Sequence, residues 1–156
     1  MRETADHNGV RLSTLTLVIG APGSGKTSYV RRHLGGGLAY DLDYIAAAFR
    51  LRQPHAEKNE AARRMANGML RGFAANARRY NSEVYVIRMA PSIEELADID
   101  PDRIVCCTGQ HFIAGRKDYT RMDEKEIEIR IKNIIEYAEA NTIPVSYDGD
   151  GIPPGA

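Results

Sequence analysis

Residues 20–27 read Gly-Ala-Pro-Gly-Ser-Gly-Lys-Thr, and this octet is the most informative stretch of the chain. It matches the phosphate-binding pattern G-x-x-x-x-G-K-[ST]. The glycines let the backbone form a cup whose N–H groups point toward phosphate oxygens. Lys26 is placed to reach the β- and γ-phosphates, and the Thr27 hydroxyl is placed to ligate Mg²⁺. The octet therefore predicts a site for a nucleotide polyphosphate.

The flanks of the octet supply the context that the motif requires. Residues 15–19 form a β-branched, apolar strand, and no Gly or Pro interrupts residues 27–34, which favours a helix there. The alternative, a Gly-rich turn that binds nothing, does not account for this context. We predict that ATP or another NTP binds with Mg²⁺. The predicted binding residues are Gly20, Ala21, Pro22, Gly23, Ser24, Gly25, Lys26, Thr27 and Ser28.

Length and composition favour one compact, soluble domain. The chain has 156 residues, of which 43% are apolar, and its 21 basic and 21 acidic residues balance, so no global field favours nucleic acid or a membrane. The adjacent Cys106 and Cys107 are typical of buried strand residues in a reducing compartment. No signal peptide or long apolar run is evident, so we expect a cytoplasmic protein without membrane contact. Residues 1–11 and 148–156 are expected to be flexible tails of this single domain, residues 1–156.

Five short apolar segments alternate with helical stretches. The predicted strands are residues 14–19, 38–41, 84–87, 103–107 and 143–146. Continuous apolar runs are typical of strands that are buried on both faces of a parallel sheet. We therefore predict a three-layer α/β/α fold of the P-loop NTPase type, with a five-stranded, mostly parallel sheet and the first strand in its centre.

The apolar stripes of the helices support this prediction. Helices are expected over residues 44–50, 57–80 and 123–140, with a short helix after a capping box that starts at Ser92. The predicted apolar stripe of the helix over residues 57–80 comprises Ala62, Met65, Met69, Phe73, Ala77 and Tyr80. The stripe of the helix over residues 123–140 comprises Ile127, Ile131, Ile134, Ile135 and Ala138.

Two carboxylates, Asp41 and Asp43, end the predicted second strand. Ligands of open parallel sheets bind at the carboxyl ends of the strands, and residues i and i+2 of an extended segment face the same side. One carboxylate is then placed to hold Mg²⁺, and the other to orient or deprotonate an acceptor hydroxyl. The alternative is that Asp43 only caps the following helix.

At these residues the chain resembles small P-loop kinases. An Asp-x-Asp at this point is a feature of shikimate-kinase-like enzymes, and polynucleotide-kinase-like and zeta-toxin-like proteins also place a catalytic Asp here. The resemblance is closest to short AAA-type or kinase-like ATPases of phage and prophage genomes, through residues 20–27, 41–48 and 87–92. It covers residues 14–107 and implies that Asp41 serves the metal with Thr27, while Asp43 holds the acceptor hydroxyl.

The chain departs from motor-type ATPases in one respect. Neither the third nor the fourth predicted strand ends in Asp or Glu, because Arg88 follows the one and residues 107–109, Cys-Thr-Gly, end the other. This absence of a Walker-B carboxylate favours the kinase-like branch. The metal-side carboxylate is then Asp41 or Asp43, or it is missing.

Several basic residues are candidates for binding phosphate oxygens. Arg88 is either a grip on an acidic or phosphorylated acceptor or a solvated strand-end arginine. Residues 109–121 are either a mobile lid, in which Arg116, Lys117 and Arg121 neutralise the transferring phosphoryl group, or an ordinary basic loop. The basic face of residues 50–79 is either solvated or attracts a phosphorylated or polynucleotide acceptor.

Three functions compete at this point. The first is Mg²⁺-dependent transfer of the γ-phosphoryl group of ATP to a hydroxyl acceptor, for which Lys26, Asp41, Asp43, Arg88, Arg116 and Arg121 are the candidate catalytic residues. The second is an NTPase switch that uses water as acceptor, and the third is a nucleotide-binding module without turnover. The sequence does not identify the acceptor.

Overall fold

A computed structural model of the chain describes residues 14–79, 82–109 and 123–149. Strands and helices alternate along the described residues. The strands are β1 (Leu15–Ile19), β2 (Leu38–Asp41), β3 (Val84–Ile87), β4 (Arg103–Cys107) and β5 (Val145–Asp148). The helices are α1 (Lys26–His33), α2 (Leu42–Phe49), α3 (Glu60–Ala77), α4 (Ile93–Ile99) and α5 (Glu124–Ala140).

The strands form one sheet in the order β2-β3-β1-β4-β5, and every pair of neighbours is parallel. The first strand therefore lies in the centre, and all five of its residues are buried. The α/β fold class that the sequence predicts is confirmed. Because all strands run the same way, their carboxyl ends meet at one edge, where the octet follows β1 and Asp41 ends β2.

Helices cover both faces of the sheet. On one face, Val30 of α1 packs with Val18, Val105 and Cys107. On the other face, α3, α4 and α5 pack on the alternate residues of the same strands, such as Leu17 of β1. Residues of both faces alternate along β1 because the side-chain period of a strand is two. The result is the predicted three-layer arrangement.

The apolar stripe predicted for α3 is partly wrong. Met65 and Met69 are 60% and 47% exposed. The residues of α3 that are buried are Ala62, Ala66, Leu70, Ala74 and Ala77. Four of these five residues are alanines, whereas the larger methionines face outward. The stripe predicted for α5 is confirmed at Ile127, Ile131, Ile134 and Ala138.

The fifth strand begins two residues later than predicted, at Val145. Ile143 instead ends α5: its N–H donates to the Ala138 carbonyl at 2.8 Å, and the Thr142 N–H donates to the Glu139 carbonyl at 3.3 Å. This is a Schellman end in which Thr142 has a φ of 58°. The strand then continues to Asp148, where the sequence predicted the tail to begin.

None of the helices in the described ranges has the length and apolar character needed to cross a membrane.

Candidate active site

The octet forms a loop between β1 and α1 that only glycine accommodates at several points. Gly23 and Gly25 have φ angles of 78° and 96°. A Cβ atom on Gly20 would lie 2.4 Å from the Ser24 hydroxyl and 2.6 Å from the Cys107 carbonyl oxygen. The Gly20 N–H also donates to the Met89 carbonyl at 3.0 Å, which fixes the start of the loop against the end of β3. The loop therefore has the backbone form that a polyphosphate site requires.

Two polar side chains of the loop are directed inward. The Lys26 ammonium donates to the carbonyl oxygens of Gly20 and Ala21, each at 2.8 Å, so it lies across its own loop. The Ser24 hydroxyl is buried and has no hydrogen-bond partner in the described part of the chain. An unpaired buried hydroxyl is unfavourable. Together with the glycine cradle, it fits a loop that completes its hydrogen bonding when phosphate oxygens are bound.

Thr27 and Asp41 come together beside this loop. The Thr27 hydroxyl donates to Asp41 Oδ2 at 3.1 Å, and the Asp43 N–H donates to Asp41 Oδ1 at 3.0 Å. Asp41 is thus the N-cap of α2. The sequence analysis gave this capping role as the alternative for Asp43. A hydroxyl and a carboxylate oxygen in contact are suitable ligands for Mg²⁺, which typically takes one or two protein oxygens and completes its shell with water and phosphate.

The electrostatics of Asp41 favour a cation. Burial raises the pKa of the Asp41 carboxyl, and the charge of Asp43 raises it further, whereas the hydrogen bond from Thr27 lowers it. A bound divalent cation would stabilise the ionised form. Among the described residues, no three His, Cys, Asp or Glu side chains form a metal cluster, so the structure does not offer an all-protein metal cage there.

Asp43 lies in the first turn of α2 and not in an extended segment, so the argument that i and i+2 face the same side is wrong here. Its carboxylate accepts from Arg63 of α3 at 2.8 Å, and His55 Nδ1 lies 3.9 Å from its other oxygen. About a third of the side chain is exposed, 34%. Asp43 remains near Asp41, whose pKa it raises, but its hydrogen bond with Arg63 directs the carboxylate toward α3.

Arg88 leaves β3 at the same sheet edge and is held firmly. Its guanidinium contacts Glu95 of α4 at 2.6 Å and Asn67 of α3 at 3.0 Å, and only 15% of the side chain is exposed. The alternative of a solvated strand-end arginine is therefore wrong. The sequence singled out residues 92–95 only as a capping box. The Ser92 hydroxyl does accept from the Glu95 N–H at 3.2 Å, but the Glu95 carboxylate contacts Arg88.

Two further pairings lie outside the residues that the sequence singled out. At the end of β5, Asp148 accepts from Arg32 of α1 at 3.0 Å. At Asp43, the sequence did not predict the nearby positions of His55 and Arg63. It indicated only a basic face there, because the proximity of these residues depends on how the segment 50–59 returns toward α2.

The candidate lid residues Arg116, Lys117 and Arg121 lie outside the described residues, and their roles stay predictions.

Comparison with known proteins finds similarity in the fold but not in the sequence. No family model and no curated protein matches the sequence. The fold is similar to that of a chain in the structure of the Pnkp1/Rnl/Hen1 RNA repair complex, at a TM-score of 0.50 and 15% identity, over 97% of this chain and 44% of that one. It is also similar to a sugar kinase from a Janibacter species, at a TM-score of 0.44 and 13% identity, over 91% of this chain and 88% of that one. This chain thus spans less than half the length of the repair-complex chain, and at such identities the likeness shows the fold alone.

Proposed function

We propose that the protein binds ATP or another NTP with Mg²⁺ and transfers the γ-phosphoryl group to a hydroxyl acceptor. The observation that carries the proposal is the contact between the Thr27 hydroxyl and Asp41 at 3.1 Å, beside a phosphate loop in its strand-to-helix context. A phosphate-binding loop by itself would also suit a protein that only binds a nucleotide. A carboxylate at the end of β2, in contact with the Thr27 hydroxyl that follows the loop, is what metal-assisted transfer needs.

Each residue then has a defined part. The loop N–H groups bind the phosphates, and Lys26 exchanges its two loop carbonyls for β- and γ-phosphate oxygens. Thr27 and Asp41 would hold Mg²⁺, which when bound would neutralise charge that develops on the transferring group. Asp43 orients the acceptor hydroxyl and accepts its proton, while Arg63 fixes the carboxylate in place. Arg88 and the candidate lid residues Arg116 and Arg121 supply further positive charge.

A second candidate is a nucleotide-binding module without transfer. The pairing of Asp43 with Arg63 favours it, because the carboxylate oxygen that is bonded to the guanidinium is already occupied and does not meet an acceptor hydroxyl. The two candidates differ in one measurable respect, which is whether a phosphoryl group leaves the nucleotide for an acceptor.

The test begins with nucleotide binding. Thermal unfolding with ATP and with GTP, each with and without Mg²⁺, is measured for the wild type and for Lys26→Ala. Lys132→Ala, an exposed lysine of α5, is the matched control. We expect Mg²⁺-dependent stabilisation in the wild type and the control, and a strong loss in Lys26→Ala. Equal stabilisation in all three would contradict the nucleotide site.

Transfer is then measured with ATP labelled at the γ-phosphate against a panel of alcohols, sugars, nucleosides and oligonucleotides. Label in an acceptor supports the kinase. Nucleotide binding without label in any acceptor or in free phosphate supports the binding module, and label in free phosphate alone supports an ATPase.

A further inference from the structure

One face of α3 contacts two separate groups at the carboxyl edge of the sheet. Arg63 donates to Asp43 Oδ1 at 2.8 Å, and Asn67, four residues later, accepts from Arg88 at 3.0 Å. Residues four apart are neighbours on one face of a helix, about 6 Å apart along its axis. The two contacts are therefore made about one helical turn apart, just past the ends of β2 and β3.

Arg88 belongs to a hydrogen-bonded group of three residues, which we call the Arg88 group. Its guanidinium contacts Asn67 of α3 at 3.0 Å and Glu95 of α4 at 2.6 Å. Asn67 is exposed and makes this contact through its amide oxygen, and Glu95 is 38% exposed and makes it through Oε2. The Asn67 amide nitrogen can thus donate to a ligand from solution, and the Glu95 carboxylate can accept from one.

The charges of these contacts are matched one for one. Glu95 offsets Arg88, and Arg63 offsets Asp43, while Asn67 is neutral. An anionic acceptor that lay against both Asp43 and Glu95 would face two carboxylates whose cationic partners are already bonded to them, which is unfavourable. A hydroxyl group both donates and accepts, so it fits a mixed set of donors and acceptors without carrying a charge of its own.

The Arg88 group lies close to the metal-side carboxylate. The buried Tyr40 responds to both: burial raises the pKa of its hydroxyl to about 12, the charge of Arg88 lowers this pKa, and the charges of Asp41 and Glu95 raise it. At physiological ionic strength such effects are largely screened beyond about 10 Å. A ligand bound to the Arg88 group would therefore be near the place where we expect the γ-phosphoryl group.

We infer, on the basis of the proposed function, that the acceptor is an uncharged polyol. The hydroxyl to be phosphorylated lies against Asp43 Oδ2, the oxygen that Arg63 does not bond, and neighbouring hydroxyls bind to the Arg88 group. In the transfer, the hydroxyl oxygen forms a bond to the γ-phosphorus of ATP while the bond from that phosphorus to the β,γ-bridging oxygen breaks. The hydroxyl proton passes to Asp43, and ADP leaves. The product carries a charge of about −1.5 to −2, and its repulsion from Asp43 and Glu95 favours its release.

A panel of matched alcohols tests the charge requirement. Transfer from γ-labelled ATP is compared for ribose and ribose 5-phosphate, glucitol and glucitol 6-phosphate, and glycerol and glycerate, with a 5′-hydroxyl oligonucleotide as a separate arm. We expect kcat/KM to be at least about tenfold higher for the uncharged member of a pair that is used, because it avoids the like charges. Equal use of both members, or a preference for the charged one, overturns the inference. Transfer to the oligonucleotide alone also overturns it.

Glu95→Gln locates the effect. The amide keeps the shape of the side chain but leaves the charge of Arg88 without its carboxylate. We expect KM for the uncharged acceptor to rise about tenfold and KM for its charged counterpart to fall, which a purely structural role would not produce. Glu94→Gln is the matched control, because it removes the same charge from an exposed side chain in the same helical turn. An equal effect of both variants would assign the preference to general charge and would overturn the inference.

Asn67→Ala is a second variant that leaves the charge unchanged. It removes one neutral donor, so we expect KM for the uncharged acceptor to rise about two- to tenfold with kcat nearly unchanged. Circular-dichroism melting checks that each variant folds, and nucleotide titration checks that its phosphate loop is intact. Unchanged KM for the uncharged acceptor in folded Asn67→Ala and Glu95→Gln would overturn the inference.

A binding measurement separates this inference from the proposed function. Ribose and glucitol are titrated into ¹⁵N-labelled protein with and without Mg²⁺ and a non-hydrolysable ATP analogue, and TMAO, an osmolyte without hydroxyl groups, controls for general solvation. Saturable shifts at residues 63–67, Arg88 and Glu95 that are lost in Glu95→Gln support the polyol site, even if no transfer occurs and the kinase proposal fails. Transfer to an alcohol without a response of these residues overturns the inference and leaves the kinase intact. The absence of both transfer and saturable shifts overturns it as well.

Discussion

The Thr27 hydroxyl donates a hydrogen bond to Asp41 across 3.1 Å, and this one contact joins the phosphate loop to the end of the second strand. Thr27 belongs to the first turn of α1, and Asp41 caps α2. The two residues are 14 positions apart, and the parallel order of β1, β3 and β2 brings them to the same sheet edge. Any cation held here is therefore in contact with both the nucleotide loop and the segment that carries Asp43.

Substitutions of Thr27 should report on the metal. Thr27→Val keeps the shape of the side chain but removes the hydroxyl, so we expect the Mg²⁺ concentration for half-maximal nucleotide binding to rise about tenfold, which corresponds to the loss of one good polar contact. Thr27→Ser keeps the hydroxyl and should stay within about twofold of the wild type. Fluorescent-nucleotide titrations at several Mg²⁺ concentrations measure this. Identical Mg²⁺ dependence in all three proteins would contradict the assignment of Thr27.

Asp43→Asn should separate chemistry from nucleotide binding. The loss of a general base typically lowers the rate about 10²–10⁴-fold, so we expect transfer to an acceptor to fall by that order, with nucleotide affinity nearly intact. Asp98→Asn on the exposed side of α4 is the matched control. Single-turnover transfer and nucleotide titration are measured on both variants. A normal transfer rate in Asp43→Asn would remove Asp43 from the mechanism.

Local patterns were sufficient to predict the sheet, except for the bounds of β5. Strands β2, β3 and β4 begin and end at the residues that the sequence predicts, because each is a short, apolar or β-branched run between clear breaks. The octet then predicted β1 as the strand that feeds the phosphate loop, and the right-handed crossover rule predicted its central place.

The arrangement of the candidate site could not be predicted in the same way, because it is set by contacts between residues that are distant in the sequence. The pairing of Arg88 with Glu95, and of Asp43 with Arg63, links elements whose relative position is set by packing. The sequence analysis also placed Met65 and Met69 on the buried face of α3, where they do not lie. Methionines give a stronger hydrophobic periodicity than alanines, so the analysis followed the methionines although the buried positions are mostly alanines. The start of α2 was misplaced because Asp41 and Asp43 have equal propensity for an N-cap.

Leu51 should be replaceable by glycine with a gain in stability. It follows the C-cap of α2 with a φ of 53° and is 93% exposed, while the Arg52 N–H donates to the Ala47 carbonyl at 3.0 Å in a Schellman end. A left-handed conformation is unfavourable for an L-residue by about 1–2 kcal/mol, and glycine avoids it. We expect Leu51→Gly to raise the free energy of unfolding by about 1 kcal/mol, measured by urea denaturation, after the entropy of glycine in the unfolded chain is deducted.

The same helix supplies the control for Leu51→Gly. Ala48 is exposed within α2, where glycine lacks the left-handed advantage and lowers helix stability by about 1 kcal/mol. Ala48→Gly should therefore have the opposite sign. Loss of stability in both variants would contradict the account of the Schellman end and would point to a packing role for Leu51.

The two adjacent cysteines lie in the core at the end of β4. Cys106 and Cys107 are 1% and 3% exposed and face opposite sides of the sheet. Burial raises the pKa of each thiol to about 11, in the case of Cys107 with help from the charge of Asp148. Both thiols are therefore neutral in the folded protein well above the pH at which an exposed thiol ionises, which is about 8.5.

This difference predicts a loss of stability in alkali. Between about pH 8.5 and the folded value, the unfolded chain releases thiol protons that the folded chain retains, so stability falls as the pH rises, by at most about 1.4 kcal/mol per pH unit for each thiol. Below pH 8.5 the thiols contribute no slope. Urea unfolding of the wild type and of the double variant Cys106→Ala, Cys107→Ala at pH 7 to 10 isolates the effect, since all other groups titrate in both. We expect a lower stability at pH 7 but a flatter alkaline slope in the double variant. Parallel curves would show that neither thiol is held neutral by the fold.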